Sequence, residues 1–200
     1  MAWQTGRVTG QFADEVMHDD AWHAITAVDG TGLFDAAEHG FSPRMMSTAC
    51  HRGSLCKYRI DARRLVLHAA EIGAAPGTPP VPLLGVEPGR SAYPEAFRGQ
   101  LSYVDLNAPV GFTGRLLIGA EPVSIGYLHM GFRPAYGFAR VWELAFDGGA
   151  LTAAADRSAD LAEVRSRLVG TRPEPAPGES AEDWIDRTFS LSFAYSWPES

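Results

Sequence analysis

From residue 50 to residue 151 the chain is a succession of short segments in which apolar and polar residues alternate, broken by turn-forming residues. LCKYRI, RRLVLHA, GRLLIGA, SIGYLHM and FARVWELAF each place their apolar side chains on one face of an extended backbone, as a half-buried strand does. A period of two repeated this often commits the chain to a sheet, because a helix cannot gather such residues on one side. About eight such strands precede residue 155, the number expected of an antiparallel sheet, sandwich or open barrel.

Turn chemistry sets the joints. Asp19-Asp20 separates Val16 and His18 from Trp22 and Ala24 and marks an N-terminal hairpin. Residues 33–47 read as loop with a helical turn around 35–38. A second hairpin reverses at residues 61–63, with Cys56, Tyr58 and Ile60 on one arm and Leu65, Leu67 and Ala69 on the other. Residues 73–91 carry Pro76, Pro79, Pro80, Pro82 and Pro88, which cannot donate to a ladder, so this is a surface excursion. Strand character returns over 97–106, 113–118, 123–131 and 138–146, and Asp147-Gly148-Gly149 makes another tight reversal.

After residue 155 the period changes. Ser158 fits an N-cap, with Leu161, Val164 and Leu168 at helical spacing up to Gly170. A proline-rich connector (171–179) leads to Ser180-Ala-Glu-Asp183, a capping-box variant opening a short helix. Phe189, Leu191, Phe193, Tyr195 and Trp197 then alternate with Ser190, Ser192, Ala194 and Ser196, which predicts a terminal strand packed back on the sheet. The expected fold is therefore α+β and mostly β, with one or two C-terminal helices and a final strand. It forms one domain over 1–200, with the sheet core in 1–155 and the helical tail in 156–200.

Composition narrows the function. The net charge of −7 disfavours a protein that tracks nucleic-acid phosphates and suits a basic protein partner. No stretch is apolar for long enough to span a bilayer, and the first residues lack the apolar core of a secretory signal, so the expected compartment is the cytoplasm. A single lysine, Lys57, and richness in Ala, Gly and Pro point to a GC-rich bacterial genome. Cys50 and Cys56 on one extended strand would lie about 20 Å apart, too far for a disulfide, so both are expected as thiols.

The stretches STACHRGSLCKYRI (47–60), FTGRLLIG (112–119), YLHMGF (127–132) and WELAFDGGAL (142–151) are similar to a family of uncharacterised bacterial proteins with S-T-A-C-W-R-G-Y-like and Y-V-H-M-G-Y-like strand motifs. The resemblance covers about residues 12–152 and departs from the pattern at His51 and Ser54. It implies a β-rich outline and a bacterial intracellular setting, and brings no activity with it.

Chemistry is sparse in the linear pattern. None of the six histidines (18, 23, 39, 51, 68, 129) is spaced to pair as a metal ligand, and no metal or cofactor is expected. No G-x-S-x-G elbow occurs. If the chain is an enzyme, a site assembled from distant strands would use His129 as base facing Glu143, with Arg52 binding an anion and Tyr127 beside them. The leading expectation is instead a protein-binding domain of the immunity or inhibitor kind that occludes a partner. Its binding residues are expected at the hairpin end, Arg59, Arg63 and Arg64, and in or near the loops 73–91 and 132–137, with Arg90, Tyr93, Arg133 and Tyr136. A third possibility is a structural subunit of a larger complex, docked through the tail.

Overall fold

The computed structural model describes residues 10–89, 100–125, 131–168 and 178–198. The described residues form nine strands, most of them where alternation places them: β1 (Glu15–His18), β2 (Ala21–Thr31), β3 (Ser54–Asp61), β4 (Arg64–Gly73), β5 (Gln100–Tyr103), β6 (Ala108–Pro109), β7 (Thr113–Pro122), β8 (Phe138–Asp147) and β9 (Ala150–Asp156). The expected turn near residue 35 is a 3₁₀ turn at Ala36–His39. Of the strand expected over 123–131, residues 123–125 and 131 are not in a strand, and 126–130 lie outside the described residues.

The strands pair in the order β3–β1–β2–β7–β8–β9–β4, and β4 pairs back with β3, so the sheet closes into a ring. Only β1–β3 is parallel within it. The β4–β9 seam is narrow, a single pairing of Arg64 with Ala150, while β5 and β6 hang on the free length of β4. Closure gives β1, β2, β3, β7 and β8 a ladder partner on both sides, which leaves few edges at which an open sheet would recruit another chain.

Alternation fills the interior. Val16, Ile25, Cys56, Tyr58, Leu65, Leu67, Leu116, Ile118, Leu144 and Phe146 form one buried cluster with Phe112. The opposite face of β2, β7 and β8 contributes Ala27, Leu117 and Val141 to a second cluster outside the ring, covered by Leu161 of α1 (Ser158–Leu168). Burying a leucine of this kind contributes about 1.5–3 kcal/mol. The side chain that caps the helix lies two residues earlier than the sequence implies. Asp156 accepts the Ser158 N–H at 2.8 Å, freeing the Ser158 hydroxyl to accept from Val141 N–H. Cys50 and Cys56 are buried free thiols. No described helix is long and apolar enough to cross a membrane.

Three hairpins reverse through two residues with positive φ: Asp19-Asp20 (47° and 57°), Ala62-Arg63 (45° and 61°) and Gly148-Gly149 (52° and 83°). These are type I′ geometries, which suit the twist of the arms but strain a residue that carries a Cβ. Asp20→Gly, creating an Asp-Gly turn, is therefore expected to raise stability by about 1 kcal/mol. Thermal unfolding checks this, with a gain of about 2–4 °C.

The tail corrects the sequence reading. Residues 189–197 form no strand. The short helix α2 (Ala181–Phe189) begins at the Ser180–Asp183 cap as expected, and a second helical turn, α3 (Phe193–Ser196), follows. Ser192 caps that turn by accepting the Tyr195 N–H. The chain nevertheless returns to the sheet: Val28 N–H donates to Leu191 C=O at 2.7 Å, and the Ser196 hydroxyl donates to Thr26 C=O. Both β2 groups lie past the stretch that the four-residue β1 covers. The tail thus supplies partners that a longer β1 would have supplied.

Candidate functional site

A concavity of about 740 Å³ opens on the outside of the ring, where the tail crosses β7 and β8. Its floor follows from strand parity. Arg115 on β7 and Glu143 on β8 face outward, on the side opposite Leu116 and Leu144, and Asp29 on β2 is the cross-strand partner of Arg115. Arg157, just past β9, closes the row. Arg115 donates to Asp29 at 2.6 Å and to Glu143 at 3.3 Å, and Arg157 donates to Glu143 at 2.9 Å and to Asp160 at 3.5 Å. Only 14% of the Glu143 side chain is exposed, against 49% of Arg115.

The walls come from the tail. Phe193 and Trp197, four residues apart and so on one side of the α3 turn, lie against the two cations. The Arg115 guanidinium is 4.7 Å from the Phe193 ring centre, and that of Arg157 is 5.5 Å from Trp197. Ala194 and Pro198 complete the rim. The hydrogen bond to Asp29 holds Arg115 even more firmly in its charged form. Both Glu143 oxygens accept from guanidinium groups, so the carboxylate is an anchor for fixed donors rather than a free base. Both guanidinium groups are thus paired with carboxylates on one side and lie against aromatic rings on the other.

The sequence-derived candidates scatter. Glu143 belongs to this concavity, whereas Arg52 sits at a separate corner, bonded to Asp14, Ser54 C=O and Phe12 C=O. The structure therefore does not bring Glu143 and Arg52 together. His129, Tyr127, Arg90 and Tyr93 lie outside the described residues. Arg59 is exposed on β3. Arg63 and Arg64 donate to Leu151 C=O (2.6 Å) and Gly148 C=O (3.1 Å), bracing the narrow β4–β9 seam. Arg133 braces its own loop through Val123 and Gly137 carbonyls, and half-buried Tyr136 packs with the tail cluster, where burial raises its hydroxyl pKa.

Sequence reasoning missed Arg115, Arg157, Asp29 and Asp160. The available signal was parity: Arg115 and Glu143 both fall on the polar face of their strands, and only the strand order makes them neighbours.

The Arg52 corner is the second concavity, about 390 Å³, lined by Gln11, His51, Arg52, Phe132, Phe189 and Leu191. Asp14 accepts there from Arg52 and from Cys56 N–H, both at 2.6 Å. Burial pushes the Asp14 carboxyl up, while the Arg52 guanidinium and the Cys56 N–H pull it back. Burial also raises the Cys56 thiol far above its ordinary value, which keeps it protonated and unreactive. Two of the family-like motifs meet here, since Arg52 lies 5.6 Å from the Phe132 ring centre. Among the described residues no group of three or more His, Cys, Asp or Glu side chains is placed to hold a metal ion.

No protein-family model, curated protein or solved structure matches this chain.

Proposed function

We propose that this chain is a protein-binding domain whose contact surface is centred on the Arg115–Glu143–Arg157 concavity. The observation that carries this reading is the grouping of Trp197, Phe193 and two stacked arginines in one concave, half-exposed patch. Trp and Arg in such settings supply most of the binding energy at protein interfaces. The net charge of −7 favours a basic partner by speeding encounter. The finer reading is an inhibitor or immunity-type protein that works by occlusion, and it rests on that charge and on the concave site. A small-ligand reading is favoured by one fact, the volume of about 740 Å³, which falls in the range of small-molecule pockets.

The test is affinity capture from the native host with the wild-type chain and with Trp197→Ala, each first checked for an unchanged circular dichroism spectrum. A basic protein held near stoichiometry by the wild type, and bound about 30-fold or more weakly by the variant, supports the proposal. Equal retention of that protein by both would place the interface elsewhere. A clean wild-type preparation whose tryptophan fluorescence responds to small metabolites would move the reading to ligand binding.

A further inference from the structure

The end of the ring next to the Asp19-Asp20 turn holds two histidines that the outer site does not use. His18 and His23 share strand parity with buried Val16, on adjacent β1 and β2. Their ring centres are 6.0 Å apart, and Trp142 from β8 lies edge-on to His18 at 4.9 Å. His23 is fully buried. Its Nδ1 lies 3.0 Å from Ala21 C=O, which can only accept, so the proton sits on Nδ1 and Nε2 carries a lone pair. That Nε2 and the Nε2 of His18 are both buried without a hydrogen-bond partner.

We infer that His18 and His23 form an acid-sensitive latch holding β1 against β2, and that protonation of His23 releases it. The latch sits where release matters. β1 has four residues and is the link between β2 and β3 in the ring, through the one parallel seam. A proton on His23 Nε2 places a charge and a new N–H where no acceptor is present. That charge also sits against the His18 ring and within the reach of Arg140 on β8, which pairs with Glu121 at 3.6 Å. The carboxylate beside the pair is Asp19, 3.8 Å from His18 Nε2 and 54% exposed. Exposing the imidazoles to water relieves the charge, and this requires the hairpin end to move.

The pH sense follows from burial, which lowers the His23 pKa below 6.5, with Arg140 and His18 acting in the same direction. The open form then binds more protons than the closed one. Closure is fully favoured above about pH 6.5 and is lost as pH falls through the depressed value.

Hydrogen exchange of the whole chain at pH 7.5 and 5.5, corrected for intrinsic rates, tests the inference. Protection of the β1 amides should fall by about tenfold on acidification, and the thermal midpoint should drop by about 3–5 °C. The loss should vanish in His18→Asn/His23→Asn, and it should persist in His68→Asn, which removes another histidine whose pKa burial lowers. If the double variant does not fold, an NMR titration of wild-type His23 decides. A value at or above 6.5 overturns the latch, as does β1 protection that is the same at both pH values.

Discussion

Gly30→Ala is expected to cost about 3–5 kcal/mol and to lower the thermal midpoint by roughly 10 °C. Gly30 on β2 faces Gly114 on β7, and both have positive φ, 154° and 139°. A Cβ on Gly30 would stand 2.2 Å from Thr113 C=O and 2.8 Å from the Gly114 Cα. These are backbone atoms of the neighbouring strand, so no side chain can swing away. The strand pair must separate, and it is the pair that carries Asp29 and Arg115 into the outer site. Gly111→Ala is the matched control, since a Cβ there meets nothing within 4 Å. Equal stability of the two variants would show that β2 and β7 are not this close.

Asp14→Ala is expected to cost about 3–4 kcal/mol, because it strands the Arg52 guanidinium and the Cys56 N–H in a partly buried corner. Asp14→Asn should cost less, since its amide oxygen can still accept from Cys56. The pH dependence distinguishes the carboxylate from a neutral acceptor. The folded pKa of Asp14 is raised from 3.8, so between that value and the folded one the native state holds more protons than the unfolded state. Wild-type stability therefore declines as pH rises through that window, a slope that Asp14→Asn should lack. Chemical denaturation between pH 4 and 6 measures it. A slope of the same size in both proteins would assign it to another group.

Much of the fold is legible because alternation is a local property. Cys56, Tyr58 and Ile60 return as Leu65 and Leu67 in the structure, as their spacing implies. The tail misled for a geometric reason. A period-two run places Phe189, Phe193 and Trp197 four residues apart, which is also one face of a helix. Ring closure leaves little edge for a further strand, and the serine hydroxyls between the aromatics act as caps instead. The outer site was half legible. Parity put Glu143 on a polar face, but its partners come from β7 and from the start of α1, and that adjacency depends on strand order. The basic hairpin end was legible only as charge, and in the fold Arg63 and Arg64 spend that charge on bracing a seam.

The most direct test of the central claim is photo-crosslinking in the native host, with a photoreactive residue at Ala194 on the rim of the outer site and, as control, at exposed Ala153 on β9. The account predicts one dominant protein adduct from position 194 and none of that mass from position 153. An adduct formed equally at both positions, or a protein partner captured with no crosslink at 194, would contradict it.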